Sequence, residues 1–496
     1  MERIKHRNQL VGGFMRCLSM VIIAAVVLSV PLSAFGFSGA DFNVGKPLKV
    51  ARMGCEAVTL ASGKVVVFGG HGVNFVSLAS AEVYDPAADS FVVVVSNYTH
   101  DYSDIARLND GRYLLAGGSS DLGVPAYKTA EVFDTASLSF SITGQMPILR
   151  SGGGAATLSN GNVLFAGGWY TWSVAYSIAA LYNTQNGTFD TIGHLKAPRA
   201  YPLVVATSDG KAVVFGGTDY TTGAIGPKDV ELFDPTADSF SVLMSNPFGA
   251  DSGWYAGNLY GNRDISSQRL KDGKYLFMAT MTDSNPILYT FDPGSKAFAR
   301  VSITPALPKG LSIWSPIVDT ARGKAYLIAS PTQADDTVRL GLISVDLTSW
   351  TFDTLDSWYA VRTAPLYPGG LSYALLKDGR ILLSGFNTQA GYNTNFSPTT
   401  LTLMITPAPN NPTKAIGLNL CRAQNALTVN MRGRTIIVSP RTKAVVELFS
   451  LAGRIVRTAQ LDHGVSFTID NAVPAGAYIL RIGGRGESLV KSIMLR

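Results

Sequence analysis

Short apolar runs recur along the chain, each opened by a polar residue with glycine. Four copies also end in two glycines: Ser62-Gly63 to Gly69-Gly70, Asp110-Gly111 to Gly117-Gly118, Asn160-Gly161 to Gly167-Gly168, and Asp209-Gly210 to Gly216-Gly217. Asn-Gly and Asp-Gly pairs favour hairpins, because both central residues of a type I′ turn have φ > 0. Two glycines at a strand end permit backbone angles that side chains forbid and let another backbone approach closely. Each copy therefore predicts a hairpin that ends at a close backbone contact.

The hairpin repeats at a regular interval of about 50 residues, with a longer interval between Gly210 and Gly273. The turn glycines are Gly63, Gly111, Gly161, Gly210, Gly273, Gly323 and Gly379. A second landmark has the same period, a strand residue followed seven positions later by Phe: Tyr84/Phe91, Phe133/Phe140, Tyr182/Phe189, Phe233/Phe240, Phe291/Phe298 and Val345/Phe352. Seven units of four short strands predict an all-β protein, a seven-bladed β-propeller.

The order of these motifs resembles the kelch repeat. Its elements are a turn glycine, an apolar strand, Gly-Gly, a phrase such as Glu82-Val83-Tyr84-Asp85-Pro86, and a final aromatic residue. The resemblance spans about residues 42–406 and is strongest in the first four units. Units five to seven lack the Gly-Gly, and Phe stands where kelch repeats usually carry Trp. The resemblance implies a kelch-type propeller over residues 37–406.

The N-terminal segment resembles the last strand of a blade. Asp41 to Arg52 matches Thr188 to Arg199, which includes the fourth strand of unit three, whereas unit seven ends with its third strand, Leu401–Ile405. We therefore expect a strand at about residues 41–50 to complete blade seven. Closing the ring in this way removes the free sheet edges of an open array.

Both ends of the chain differ from the repeats. Residues 1–36 read as a secretory signal peptide, with basic residues, an apolar run and the small residues of Ala34-Phe35-Gly36; an uncleaved membrane anchor is the alternative. Residues 407–424 form a linker that opens with several prolines. Residues 425–496 alternate like short strands and predict a small C-terminal β-sandwich.

The C-terminal region also carries specific phrases. Val446 to Arg454, Pro474 to Ile482 and the closing Lys491 to Leu495 resemble the type A C-terminal sorting domain of the type IX secretion system. The resemblance implies export to the outer cell surface or the medium and a partner in the type IX secretion machinery. An ordinary β-sandwich appendage is the alternative.

Charge and cysteine usage narrow the class further. The formal net charge of +6 reflects basic termini, and the body between them is mildly acidic. It therefore lacks the basic stripe of a nucleic-acid-binding protein, and we expect no nucleic acid partner. Beyond residue 36 the cysteines are Cys55 and Cys421, which lie in different predicted domains, so we predict two buried free thiols.

Signals for catalysis are sparse. The histidines beyond residue 36 are His71, His100, His194 and His463, and no pair has metal-ligand spacing. His100-Asp101 with Asp104 is the nearest acid–base group, and we expect it in a solvated loop. Some kelch propellers are copper radical oxidases, but this chain has no adjacent Tyr-His pair. We expect no cofactor and no metal.

The predicted topology separates two faces. Short uniform turns share one face, and the variable loops after each Gly-Gly share the other with the links between blades. Trp and Tyr interleaved with Asn, Asp and Gly occur in these longer segments, where rings stack on sugars and polar groups bind hydroxyls. The predicted ligand-binding residues are Tyr98, His100, Asp101, Trp169, Tyr170, Trp172, Tyr220, Trp254, Tyr255, Asn258, Tyr260, Arg263, Asp264, Trp314, Trp358 and Tyr392. Packing within the channel is the alternative for any one of the aromatics.

The sequence thus predicts a secreted or cell-surface, monomeric propeller that binds carbohydrate or a surface protein without catalysis. Two alternatives stay open. One is a polysaccharide-active hydrolase, lyase or oxidase that uses carboxylates such as Asp101, Asp251 or Asp264. The other is a structural surface protein with no small ligand. Four basic residues before first strands, Arg52, Arg150, Arg199 and Arg362, indicate a structural role between blades.

Overall fold

The computed structural model describes the propeller region and the strands of the C-terminal region. The described residues are 41–119, 127–170, 174–219, 227–248, 254–256, 268–281, 287–303, 311–313, 315–331, 338–353, 358–361, 371–386, 398–407, 428–432, 435–439, 444–450, 455–461, 466–468, 476–484 and 487–495. The chain divides into two compact units, Phe37–Gly417 and a second that contains Leu418–Arg496. Among the described residues, no helix has the length and apolar character needed to cross a membrane.

The first unit contains seven antiparallel sheets, which are the blades of a β-propeller. β1 (Asp41–Val44) is the outer strand of blade seven. Blade one contains β2 (Glu56–Thr59), β3 (Val65–Phe68), β4 (Ser80–Asp85) and β5 (Ser90–Val95). Blade two contains β6 (Asp104–Arg107), β7 (Tyr113–Ala116), β8 (Ala130–Asp134) and β9 (Ser139–Ile142). Blade three contains β10 (Gly154–Thr157), β11 (Val163–Ala166), β12 (Ile178–Asn183) and β13 (Thr188–His194).

Blades four and five follow the same order, whereas blade six has six described strands instead of the predicted four and blade seven is completed by β1. Blade four contains β14 (Leu203–Ala206), β15 (Ala212–Phe215), β16 (Val230–Asp234) and β17 (Ser239–Met244). Blade five contains β18 (Trp254–Ala256), β19 (Tyr275–Met281), β20 (Ile287–Asp292) and β21 (Ala297–Arg300). Blade six contains β22 (Leu311–Ile313), β23 (Ile317–Asp319), β24 (Lys324–Pro331), β25 (Val338–Asp346), β26 (Phe352–Asp353) and β27 (Trp358–Val361). Blade seven contains β28 (Ser372–Leu375), β29 (Ile381–Ser384), β30 (Leu403–Thr406) and β1.

The ring closes by pairing the start of the propeller with its end. β1 runs antiparallel to β30, with Phe42 opposite Ile405 and Val44 opposite Leu403. Beyond β1, the Gly45 N–H donates to the Thr402 carbonyl at 3.0 Å, which extends the contact. First strands of adjacent blades contact one another, as β6 does β10 and β10 does β14, so the first strands line the axis.

The hydrophobic core is divided among the interfaces between blades. Each of seven clusters of buried side chains joins two neighbouring blades. Between blades one and two, for example, Phe68 packs edge-on against Phe133 with ring centroids 5.1 Å apart. Second strands such as β3 are buried along their whole length, because apolar neighbours cover both faces. The repeated aromatic positions of the sequence therefore hold the blades together.

In the part of the second unit that the structure describes, seven strands form two sheets. They are β31 (Thr428–Arg432), β32 (Thr435–Ser439), β33 (Ala444–Ser450), β34 (Ile455–Leu461), β35 (Ser466–Thr468), β36 (Gly476–Gly484) and β37 (Glu487–Leu495). The sheet orders are β31-β32-β35 and β34-β33-β36-β37. The predicted strands overlap those observed, and their assembly into a sandwich stays a prediction.

Candidate functional site

The connections between strands separate two faces of the ring. Turns of the β2–β3 and β4–β5 type are short and lie on one face, here called the turn face. The opposite face, here called the long-loop face, carries the connections after the second strands and the links between blades. A turn such as Asp85–Ala88 is closed by its own carboxylate, which accepts from the Ala87 N–H at 2.9 Å. The polar groups of such a turn are thus bonded within the turn itself.

Exposed apolar side chains are unevenly distributed among the described residues. Three large ones lie on the long-loop face: Val73 is 52% exposed, Val76 55% and Val174 43%. The others lie on outer strands: Val44, Val92, Val93, Val95, Ile142 and Val242. None lies in a turn of the turn face among the residues that the structure describes. Apolar surface at loop tips has no packing role within the ring, so it favours the long-loop face as a contact surface.

The long loops start from a rigid contact between blades. Gly69 and Gly70 both have positive φ, and the Gly70 N–H donates to the His100 carbonyl at 3.0 Å. The same bond joins Gly118 to Arg150 at 2.8 Å and Gly168 to Arg199 at 2.9 Å. A side chain at Gly69 would place its Cβ 1.9 Å from the His100 carbonyl oxygen. The Gly-Gly pair therefore lets one blade dock on the backbone of the next.

The basic residues in this contact are buried and bonded within the ring. The Arg52 Nη2 atom donates to Glu82 Oε1 at 3.1 Å, and Arg199 Nη2 donates to Glu231 Oε1 at 2.8 Å. All of these side chains are fully buried. Glu82 also accepts from the backbone N–H groups of Lys49 and Val50, so it holds the link into its blade. The structural role predicted for Arg52, Arg150 and Arg199 is confirmed, and Arg362 lies outside the described residues.

Arg150 departs from this pattern. Blade three has Ala180 where the neighbouring blades have glutamate, and the Arg150 Nη2 atom donates to the Ile178 carbonyl at 2.8 Å. Burial lowers the pKa of Arg150 to about 10, although the negative charge of Asp104 opposes this. One guanidinium nitrogen is thus bonded within the blade, whereas Nε and Nη1 have no hydrogen-bond partner among the described residues.

An aromatic cluster lies at the long-loop end of the innermost strands. It consists of Tyr102, Trp169 and Tyr201, with His71 beside them. The Tyr102 ring lies edge-on to Trp169 and to Tyr201, with centroids 6.1 Å and 6.3 Å apart. The Tyr102 ring centroid also lies 6.1 Å from that of His71. The Phe75 ring packs on His71, with centroids 5.0 Å apart and a tilt of 31° between the rings. Blades one to four therefore contribute to one cluster near the axis.

Two of these tyrosines have left-handed backbone conformations, with φ of 54° at Tyr102 and 53° at Tyr201. The equivalent positions in blades one and three are Gly54 and Gly152, which have similar φ values. A residue with a side chain costs about 1–2 kcal/mol in this region, and such strain is concentrated at functional sites. Two blades thus have a strained backbone at the positions that bring tyrosine rings into the cluster.

His71 and Asp101 form a buried pair beside the cluster. His71 Nδ1 lies 3.0 Å from Asp101 Oδ1, and both side chains are almost fully buried. A carboxylate only accepts, so the Nδ1–H donates and the Nε2 atom of neutral His71 is an acceptor. Nε2 is buried and has no hydrogen-bond partner among the described residues. Leaving such an atom unsatisfied in the interior costs about 1–3 kcal/mol, so Nε2 is a candidate acceptor for a bound group.

The structure corrects several sequence predictions. Trp169 was expected to be exposed, but it is only 1% exposed. Gly152 has no side chain, and a Cβ there would lie 2.4 Å from Trp169 Nε1, so the indole fills that space. His100 and Asp101 were expected in a solvated loop, which is wrong. His100 Nε2 lies 2.7 Å from Glu131 Oε2, and Asp101 bonds to His71.

The other predicted residues are partly described. Tyr98 and Tyr170 are half-buried, and the Tyr98 N–H donates to Glu131 Oε2 at 3.2 Å. The backbones of Trp254 and Tyr255 lie in β18 and that of Trp358 lies in β27. The remaining predicted residues fall outside the described ones: Trp172, Tyr220, Asn258, Tyr260, Arg263, Asp264, Trp314 and Tyr392.

Sequence reasoning missed His71, Tyr102 and Tyr201. A usable signal was the repeat itself. His71 follows its Gly-Gly pair directly, as Trp169 does, and Tyr102 and Tyr201 both lie two residues beyond the basic position. Aligning the units at those points would have placed all of them near the axis.

No group of three or more His, Cys, Asp or Glu side chains among the described residues is placed to hold a metal ion. Cys55 is a buried free thiol, as predicted, and Cys421 lies outside the described residues.

Comparison with known proteins supports the architecture. No protein-family model matches the chain. The chain is 36% identical over 90 residues to an F-box/kelch-repeat protein of Arabidopsis thaliana, which is 18% of this chain and 23% of that protein. It thus spans about a quarter of the curated relative's length. The fold is similar to that of a fungal alcohol oxidase of the AA5 family in complex with copper, with a TM-score of 0.52 and 14% identity. That likeness covers 91% of this chain and 99% of the oxidase, and it concerns the fold alone. The kelch-repeat relative and the seven-bladed ring together support a kelch-type β-propeller.

Proposed function

We propose that this propeller is a secreted or cell-surface binding module that takes carbohydrate or a surface protein at its long-loop face. The observation that supports this best is the distribution of exposed apolar side chains. Val73, Val76 and Val174 are exposed on the long-loop face, whereas the described turns of the opposite face expose no large apolar side chain. A rigid ring that presents its apolar and aromatic residues on one face is suited to binding.

The backbone conformation at residues 72–76 also supports the long-loop face as the binding surface. The 3-10 turn Val73–Phe75 is closed by a bond from the Gly72 N–H to the Val76 carbonyl at 2.8 Å. Asn74 and Phe75 have φ of 59° and 58°, so two consecutive non-glycine residues are left-handed. Such conformations are concentrated in ligand-binding segments. The turn holds Val73 and Val76 outward and Phe75 inward over His71.

The test compares matched charge substitutions on the two faces. The double variant Val73→Asp/Val76→Asp changes the long-loop face, and Ala87→Asp/Ala136→Asp changes exposed turn residues. Full-chain protein is screened against a glycan array and a panel of bacterial outer-surface proteins. We expect binding by wild type and the control, and loss of binding in the long-loop variant, because buried charge is costly at an apolar contact. Equal binding by both variants, or none by wild type, would overturn the proposal and favour a structural role. Polysaccharide turnover lost in Asp101→Asn would favour an enzyme instead.

Export is the second part of the proposal. Residues 1–36 would direct the chain through the inner membrane, and residues 425–496 would act as a sorting domain for the type IX secretion machinery. The support is the C-terminal phrases and the seven-strand arrangement of this region. Removing residues 407–496 should leave the protein in the periplasm of a bacterium with that machinery, while the full chain reaches the outside. Equal external amounts of both would contradict this route.

A further inference from the structure

We infer that the His71–Asp101 pair and the aromatic cluster hold one neutral sugar ring, with a sugar hydroxyl donating to His71 Nε2. The inference rests on the proposed binding function and names the ligand class. Its basis is a polar atom that is fully buried, oriented by a carboxylate and without a partner among the described residues. No motif in the sequence marks this atom as a ligand-binding group.

Asp101 determines what His71 can accept. The carboxylate oxygen, 3.0 Å from Nδ1, keeps the proton on that nitrogen and fixes the ring plane. When the ring is neutral, Nε2 carries a lone pair and accepts from a donor. A hydroxyl supplies such a donor, whereas a carboxylate or phosphate does not, and the Asp101 charge would repel an anion. The pair therefore selects a neutral, hydroxyl-bearing ligand.

The surroundings select a ring. The ring centroids of Phe75 and Tyr102 lie 5.0 Å and 6.1 Å from that of His71, each ring tilted by about 30° to the imidazole, so aromatic rings lie beside it. Aromatic faces stack on the C–H faces of sugars, while the acceptor binds a hydroxyl. Tyr102, Trp169 and Tyr201 are 1% to 5% exposed, so the site is recessed. A flat protein surface cannot reach the buried Nε2, and the half-buried Phe75 is where we place the entry of a single ring.

The first measurement follows His71 directly. The full chain is labelled in its histidine rings with ¹³C and ¹⁵N, and the His71 signal is assigned by its absence from His71→Gln. The probes are D-glucose, D-mannose, D-xylose and N-acetyl-D-glucosamine, with D-glucuronate as the charged counterpart of glucose. We expect at least one neutral sugar to shift the Nε2 resonance saturably. Glucose should bind about tenfold more tightly than glucuronate if it is that sugar. Exposed His194 should not shift.

The second measurement uses variants. His71→Phe retains an aromatic ring but removes the acceptor. Asp101→Asn removes the carboxylate that keeps the proton on Nδ1. Each should weaken binding of the responding sugar about tenfold or more, while His194→Gln has no effect. Circular dichroism and the denaturation midpoint establish that each variant is folded. The wild-type titration does not depend on these variants, so it decides the case even if one fails to fold.

Two outcomes would overturn the inference. One is the absence of any His71 shift with all four neutral sugars, which would leave water as the partner of Nε2. The other is unchanged affinity in folded His71→Phe. If glycan or protein binding is still lost in Val73→Asp/Val76→Asp, the proposed function stands and only the sugar site fails.

Discussion

His100 Nε2 lies 2.7 Å from Glu131 Oε2, at the position where Arg52 meets Glu82 in blade one and Arg199 meets Glu231 in blade four. Blade two thus uses histidine in a contact that two other blades build with arginine. Glu131 also accepts hydrogen bonds from the backbone N–H groups of Asn97 and Tyr98 in the link between blades, as Glu82 does in blade one. The pair joins the entry of blade two to its third strand.

This pair should make part of the stability depend on pH. Burial of the carboxyl raises the pKa of Glu131, but hydrogen bonds from His100 and Asn97 outweigh burial and hold the pKa below its usual value of 4.5. Because the folded pKa is the lower one, the stabilisation is complete above the unfolded pKa and is lost as pH falls through the folded pKa. In urea denaturation, the free energy of unfolding of His100→Ala should depend less on pH than that of the wild type between about pH 6 and pH 3. The same slope of unfolding free energy against pH in wild type and variant would contradict this. His100→Arg is the control, because it restores a hydrogen-bond donor to Glu131.

Breaking a buried pair should cost far more than breaking an exposed one. Glu231→Ala leaves the fully buried Arg199 without its carboxylate, and we expect a loss of about 3–5 kcal/mol in the free energy of unfolding. Asp272→Ala breaks the pair with Lys274 on an exposed turn and should cost less than about 1 kcal/mol. Chemical denaturation measures both. Similar losses in the two variants would argue against a structural role for the buried pair.

The sequence predicts the blades because their repeat is a backbone property. Each blade has a turn glycine with positive φ, and Gly-Gly pairs with positive φ recur in blades one to four. The resemblance of the N-terminal segment to β13 similarly indicates a closing strand, and β1 pairs with β30. These features depend on local sequence and on a period, so one chain suffices to find them.

The candidate site was less predictable, because side-chain direction depends on contacts between blades. Trp169 follows a Gly-Gly pair into a long loop, yet its indole lies over Gly152. No histidine or cysteine lies at metal-ligand spacing from His71, and its partner Asp101 comes from the next blade. His71 and Asp101 lie 30 residues apart along the chain, so their pairing leaves no local pattern.

The first glycine of the Gly-Gly pair should tolerate no side chain. Gly69 has φ of 54°, and a Cβ there would lie 1.9 Å from the His100 carbonyl oxygen. Gly111 also has positive φ, but nothing lies within 4 Å of its added Cβ. Gly111→Ala should therefore cost about 1–2 kcal/mol from backbone strain alone. Gly69→Ala should cost a further 1–3 kcal/mol, roughly, from overpacking, as measured by urea denaturation. Equal costs would show that the blades separate to make room.

Cys55 should be inert in the folded protein. Burial raises the pKa of its thiol, although the positive charge of Arg52 and hydrogen bonds with Ser372 and Ser384 oppose this. The thiolate is the reactive form, so little of it forms near neutral pH. In a Cys17→Ser/Cys421→Ser chain, the remaining thiol should react with a disulfide reagent only on addition of denaturant. Rapid reaction of the native protein at about pH 8 would contradict this expectation.

Ring closure should depend on the inward side chain of β1. Phe42 is 2% exposed and packs with Ile405 and Leu403, whereas Val44, two residues later on the same strand, is 51% exposed. Phe42→Ala should therefore cost about 3–5 kcal/mol of unfolding free energy. Val44→Ala should change it by less than about 0.5 kcal/mol. Because β1 joins the two ends of the ring, Phe42→Ala should also increase hydrogen exchange at the β1–β30 bonds. If exchange rises equally across all blades, unfolding is global and the closing pair has no separate role; a rise confined to blade seven identifies it as the point where the ring opens.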